Sequence, residues 1–256
     1  MTTDNRDYTV KEVQIMHDEI IQSIDGFEVS VAVLEKQGKE NCWQNDINEE
    51  EFAGLSAVDV SGCFYRYVKR GMDIVCALLA ITVLSVPLLL VSLAIYMDDP
   101  GPVFFRQYRV GLHGKRFRLY KFRSMKTDTP KYLSTTEFTD SSTYVTRVGR
   151  FIRKFSIDEL PQLINVLLGD MSLVGPRPLI SDEYAVHKMR IRFGVYNIRP
   201  GITGWAQING RDAVSAAEKV RYDVQYLESY GFWEDVKILF LTIPKIVKAS
   251  DVSEGH

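Results

Sequence analysis

The chain has 256 residues and a mass of 29.3 kDa, with 46% hydrophobic and 25% charged residues, proportions that exclude wholesale disorder and suit one substantial domain with an appendage. Its formal charge of −2 hides an asymmetry: residues 1–62 carry 4 basic against 14 acidic side chains, a net of −10, and the remainder carries 27 against 19, a net of +8. Cys42, Cys63 and Cys76 are odd in number without CxxC spacing, and His17, His113, His187 and His256 lack metal-ligand spacing, so neither a disulfide framework nor a zinc site is expected.

The N-terminus has no apolar run behind it and does not read as a secretory signal; residues 1–62 are expected to form a separate acidic extension. The next segment dominates the chain. Residues 74–97 are 24 in number and include no charged side chain. As a straight helix they would reach about 36 Å, enough to cross a bilayer core of about 30 Å. Two features oppose a simple crossing. Arg66, Lys69 and Arg70 precede the run, and eight further bases with no acid lie between Pro100 and Thr127, so both flanks look cytoplasmic. Ser85-Val86-Pro87 also interrupts the run, where proline removes a backbone donor and the serine hydroxyl can bond a carbonyl one turn back. A helix that enters the membrane, bends near Ser85 and Pro87, and returns to the same face is the expectation.

Asp98-Asp99-Pro100-Gly101-Pro102 ends the apolar run with turn chemistry. Val103 to Gln107, a Gly111–Gly114 turn and Phe117 to Arg123 then read as a β-hairpin. Lys121 and Arg123 alternate with apolar residues and should share one face, either as a charged edge or as a phosphate-binding pair. Basic residues beside aromatics in one membrane-adjacent patch do not point to nucleic acid. Residues 127–143 hold nine Ser or Thr and read as a surface loop.

Ser156 and Glu159 have capping-box spacing ahead of an apolar run, although Pro161 allows the helix to start later. Asp158 and Glu159 thus lie at or before a helix N-terminus, where acids are commonplace; Arg150, Arg153 and Lys154 nearby suit an anionic substrate bridged by a hard metal ion. Two stiff loops follow, Val174-Gly175-Pro176-Arg177-Pro178 and Arg199-Pro200-Gly201-Ile202-Thr203-Gly204-Trp205, each presenting an arginine. Residues 231–248 show helical spacing of Phe232, Trp233, Val236, Leu239, Phe240, Ile243 and Val247, which fits either an interfacial or a core helix.

Taken together, "DDPGPVFFRQYRVG", "YKFRSM", "FSIDELPQLINVLLGDMSLVGPRP", "RPGITGWAQINGR" and "YDVQYL", with Lys69-Arg70 and Asp73 ahead of the apolar run, resemble the bacterial sugar transferases of the monotopic phosphoglycosyl transferase family. The resemblance covers roughly residues 66–250. It implies an α+β, mainly helical fold with a re-entrant membrane helix, a small β-hairpin and amphipathic interfacial helices. The implied organisation is an unassigned extension over 1–62, the re-entrant helix over 63–98, a cytoplasmic catalytic domain over 99–250 and a tail over 251–256. The implied activity transfers a sugar 1-phosphate from a UDP-sugar to polyprenyl (undecaprenyl) phosphate, releasing UMP through a phosphosugar–aspartate intermediate, at the cytoplasmic face of the bacterial inner membrane. By residue, the resemblance makes Asp158 the nucleophile and Glu159 the Mg²⁺ ligand. It makes Lys121, Arg123, Arg153, Arg177, Arg199 and Asp223 substrate-binding, and Ser85 and Pro87 the membrane break, although the family's Ser-Pro is adjacent and Val86 intervenes here. The ending "VSEGH" is similar to tails of members that handle acetamido sugars. A non-catalytic membrane tether, or a transferase that moves the sugar without its phosphate, are the competing readings.

Overall fold

The computed structural model describes residues 58–60, 63–129, 144–181, 183–209 and 215–248; the acidic extension, most of the Ser/Thr-rich loop and the tail lie outside these. The described residues are mainly helical, with two small two-stranded sheets.

The apolar run is a single helix, α1 (Tyr65–Asp98). Pro87 lies within it, and the helical run continues on both sides of Ser85 and Pro87. Proline costs one backbone bond, and the hydroxyls before it are turned onto the helix: Ser85 Oγ donates to the Thr82 carbonyl at 2.8 Å and Thr82 Oγ1 to the Leu78 carbonyl at 2.9 Å.

What shapes α1 is its two faces. Asp73, Ala77, Ile81, Leu88, Val91 and Ile95, at helical spacing, pack against the rest of the protein. The opposite stripe of Val75, Leu79, Val83, Val86, Leu90, Leu93 and Met97 is exposed and wholly apolar.

The helix is tied down at both ends. Near its start, Arg70 donates to the Val166 and Leu167 carbonyls at 2.6 and 3.1 Å, Asp73 accepts from the Leu173 amide at 3.0 Å, and Lys69 forms a buried pair with Asp235. At its end, Asp98 accepts from the Val148 amide and Asp99 from the Thr127 amide, each at 2.9 Å.

The hairpin forms as expected: β1 (Phe104–Val110) pairs antiparallel with β2 (Arg116–Phe122). Phe117 and Leu119 face inward against Ala77, Leu163, Val166 and Met171. By the two-residue period, Lys121 and Arg123 continue that same inward face past its apolar part.

Helices α2 (Arg147–Lys154) and α3 (Gln162–Leu168) follow, joined by a 3₁₀ turn over Ile157–Glu159. Strand β3 (Ser172–Val174) pairs parallel with β4 (Gly201–Thr203), and between them lies α4 (Tyr184–Arg192). The two stiff loops are interlocked here: the Gly175 amide donates to the Thr203 carbonyl and the Gly201 amide to the Pro176 carbonyl, both at 2.9 Å. The backbones approach so closely that a Cβ on Gly201 would sit 2.1 Å from the Gly175 nitrogen.

The chain closes with α5 (Trp205–Ile208), α6 (Ala216–Glu228) and α7 (Phe232–Lys248). The true capping box belongs to α6, where Ser215 and Glu218 exchange bonds. Ile238 of α7 joins a core with Val174, Phe193, Val220, Val224 and Tyr226. Phe232, Trp233, Leu239, Phe240, Leu241 and Ile243 of α7 stay exposed, so this helix is core-packed on one side and apolar on the other.

Candidate active site

The site is assembled where β2 meets the start of α3. Of the two helix starts that the sequence allows, the capping box of Ser156 and Glu159 is not formed. Ser156 makes no side-chain cap and takes a left-handed conformation with φ of 55°, so the chain turns sharply out of α2 and the helix begins instead after Pro161. This places Asp158 and Glu159 on a 3₁₀ turn, whose residues are about 120° apart, and the two carboxylates point in different directions.

Glu159 faces cations. Its Oε1 accepts from Lys121 Nζ at 2.7 Å and lies 3.4 Å from the Arg177 guanidinium. Asp158 is held differently. Burial, and then the charge of Glu159, push its carboxyl up to about 6, against the pull of Lys121, Arg153 and Arg177. Arg153 is oriented by Ser124, whose hydroxyl accepts from its Nε at 2.8 Å. Gly149 permits that approach, because a Cβ there would meet the Ser124 carbonyl oxygen at 2.0 Å. The result is one ionisable carboxylate among three cations, beside a second carboxylate already paired. A carboxylate in this setting can act as a nucleophile, among charges that suit a phosphoryl group.

Three of the six expected binding residues therefore meet the dyad: Lys121, Arg153 and Arg177. The other three do not. Arg123 is buried and turned onto Asp99, 3.4 Å from its carboxylate, where it closes the loop after α1. Arg199 donates from Nε to the Gly169 carbonyl at 2.8 Å, at the far end of α3 from the dyad. Asp223 is fully buried and bound to Arg190, Oδ2 receiving Nε at 2.8 Å and lying 2.7 Å from Nη2. Burial pushes the Asp223 carboxyl up to about 6 even beside that guanidinium. Asp223 still bears on the site at one remove, since Arg190 Nη1 donates to the backbone carbonyl of Arg177 at 2.8 Å.

Arg190, Ser124 and Asn165 were not singled out from sequence. Asn165, the polar residue within the Leu163–Leu168 run, is fully buried and ties α3 to β2. Its Oδ1 accepts from the Tyr120 amide at 3.0 Å and its Nδ2 donates to the Arg118 carbonyl at 2.7 Å. A lone amide inside an apolar stripe is the signal for such a buried tie.

Among the described residues no three His, Cys, Asp or Glu side chains form a metal cage. Glu159, beside Asp158, is the residue of the dyad that could hold a magnesium ion, which is commonly held by one or two carboxylates with substrate phosphate oxygens and water completing its shell.

A model of the family described as bacterial sugar transferase matches residues 64–249. The chain is 45% identical over 188 residues to the uncharacterized sugar transferase EpsL of Bacillus subtilis (strain 168), covering 73% of this chain and 89% of that protein. It is 44% identical over 188 residues to the UDP-glucose:undecaprenyl-phosphate glucose-1-phosphate transferase of Escherichia coli (strain K12), covering 70% of this chain and 40% of that protein. It is 43% identical over 189 residues to the UDP-N-acetylgalactosamine-undecaprenyl-phosphate N-acetylgalactosaminephosphotransferase of Aeromonas hydrophila, with 72% of this chain and 44% of that protein covered. The chain thus spans less than half the length of the last two relatives.

Proposed function

The chain belongs to the bacterial sugar transferase family, and on that premise we propose that it transfers a sugar 1-phosphate from a UDP-sugar to undecaprenyl phosphate, releasing UMP. The observation that supports this reading is Asp158, set beside Glu159 among Lys121, Arg153 and Arg177 at the turn that precedes α3. An oxygen of the Asp158 carboxylate attacks the sugar-side phosphorus. The bond from that phosphorus to the bridging oxygen breaks, and UMP leaves with the electron pair. A phosphosugar is left on Asp158. A phosphate oxygen of the polyprenyl carrier then attacks the same phosphorus, freeing Asp158 and forming polyprenyl-diphosphate-sugar. Splitting one transfer into two displacements lowers each barrier. Lys121 and Arg177 hold Glu159 where it would ligate Mg²⁺, which when bound offsets charge on the transferring group. Arg153 meets the remaining negative charge.

One substrate is in lipid, and the exposed apolar faces of α1 and α7 support a seat in the membrane. Because both ends of α1 are bonded to the same body, a crossing would pull either the Arg70 and Asp73 contacts or the Asp98 and Asp99 contacts through the bilayer. These contacts support both ends lying on one side of the membrane, and the basic residues flanking the apolar run support the cytoplasmic one. Cysteines introduced at Asp59 and Lys115, with the native cysteines replaced, should both resist an impermeant reagent in intact cells and both react after permeabilisation. Labelling of one alone in intact cells would establish a crossing helix.

The activity is tested by supplying purified protein with UDP-sugars and undecaprenyl phosphate. UMP should appear with one of them. UDP in place of UMP would mean that the sugar moves without its phosphate, and no nucleotide release from any donor would favour a tether. Since Asp158 acts ionised and its carboxyl sits at about 6, kcat/KM should fall about tenfold per unit as pH drops below that value. An acidic limb bending near the ordinary carboxylate range, about 4, would contradict the assignment.

A further inference from the structure

The hairpin has a second face that the dyad does not use. Opposite the inward Phe117 and Leu119, Arg106 and Tyr108 of β1 and Arg116, Arg118 and Tyr120 of β2 share the outer face, and its three arginines are exposed. The register sets Arg106 across from Tyr120 and Arg118 across from Tyr108, and each guanidinium lies over the ring it faces. Arg106 is 5.3 Å from the Tyr120 ring centre. Arg118 is 5.4 Å from that of Tyr108, whose hydroxyl also accepts from Arg118 Nε at 3.0 Å. Residues 100–127 contain no Asp or Glu, and among the described residues none of these three arginines forms an ion pair. Guanidinium groups held against rings and still in water offer forked donors to carboxylates at little cost in side-chain freedom.

The chain itself carries the complement. Residues 40–51 hold five acidic side chains, Glu40, Asp46, Glu49, Glu50 and Glu51, and no basic one. They lead into the described fold at Val58, whose amide donates to the Phe193 carbonyl at 3.3 Å, and Val60 is buried with Phe193 and Val195. This entry point is close to the hairpin tip. The turn over Val195–Asn197 touches the turn over Leu112–Gly114, and Tyr196 packs on Val110 at the end of β1. The seven residues from Glu51 to Val58 span up to about 24 Å when extended, about the length of β2, so the acidic run can reach the outer face. A short tether also holds its segment at roughly millimolar effective concentration, ahead of a free partner of the same charge.

We propose that residues 40–51 dock on the outer face of the hairpin, with their carboxylates on Arg106, Arg116 and Arg118. The docked segment withholds this basic face from anionic lipid and from acidic partners, and salt releases it. The proposal goes beyond the transferase reading and rests on neither the dyad nor the membrane seat.

The full chain, in uncharged detergent micelles at low salt, is digested briefly with chymotrypsin, and cleavage after Trp43 and Phe52 is followed by mass. Cleavage needs a released segment, so its rate follows the undocked population. Arg106→Gln/Arg116→Gln/Arg118→Gln should raise the rate about tenfold, the combined effect of three exposed charge pairs. Glu49→Gln/Glu50→Gln/Glu51→Gln alters the other partner, leaves the hairpin untouched and should raise it by a similar factor. Combining the two triples should add nothing further, because both remove the same contacts. Sodium chloride at 1 M, where charges are screened within about 3 Å, should bring wild type to the rate of the variants. Unchanged cleavage in the folded arginine variant would overturn the proposal, as would a combined effect equal to the product of the separate ones. Phosphatidylglycerol doped into the micelles tests the other partner. Lipid binding that the arginine triple abolishes, with cleavage unchanged, would assign the face to headgroups instead. Turnover is not read, so these outcomes are independent of the transferase reading.

Discussion

Asp158→Asn should lower UMP release by about 10³-fold or more while leaving the protein folded. The amide keeps the size and planarity of the carboxyl but cannot form the phosphosugar bond, and it removes a buried group that burial already holds up at about 6. Folding stability near neutral pH should therefore be unchanged or slightly higher. Incubating the wild type with the correct UDP-sugar and no polyprenyl phosphate should yield UMP and a protein heavier by one sugar phosphate. An adduct that persists in the asparagine variant would sink the assignment. Glu159→Gln separates the two carboxylates. It weakens the contacts to Lys121 and Arg177 and should reduce turnover by about 10²-fold, with a shifted magnesium dependence.

The second large effect concerns stability. Arg190 and Asp223 are almost fully buried, and the guanidinium spends its other donor on the Arg177 carbonyl. Arg190→Met strands a buried carboxylate, which should cost about 3–5 kcal/mol, read as an earlier urea transition in detergent. Adding Asp223→Leu removes the stranded charge and should recover most of that loss, because a well-packed apolar pair can replace a buried ion pair. Activity should not recover, since the Arg177 carbonyl has lost its donor and Arg177 its fixed approach to Glu159. A single variant as stable as wild type would show that the pair contributes nothing. Recovery of activity in the double variant would show that the Arg177 backbone needs no such support.

Much of the architecture was legible because it is written in local periodicity. The 24 uncharged residues, the alternation through Phe117 and Leu119 and the turn glycines between the strands report burial that neighbouring residues share. Local signals left a choice open where two of them competed. Ser156 and Glu159 have capping-box spacing, but Pro161 starts the helix and Ser156 turns left-handed, freeing Glu159 to reach Lys121. At Ser85 and Pro87 the helical run continues, with hydroxyl bonds to nearby carbonyls and a body packed along its inner face.

From sequence alone came the kinds of parts: an apolar helix with basic flanks, a hairpin ending in cations, an acidic pair at a helix start, and arginines on stiff loops. Periodicity and turn chemistry are properties of adjacent residues, so they need no fold to be read. Which cation serves which anion was decided by the tertiary structure. Lys121 finds Glu159 across 38 positions, Lys69 finds Asp235 across 166, and Arg190 takes Asp223 across 33. Spacing along the chain carries no record of such pairs. Long charged side chains commit to the partner that packing brings within reach and that desolvation obliges them to keep, which is why Arg123, Arg199 and Asp223 lie away from the dyad that Lys121, Arg153 and Arg177 surround.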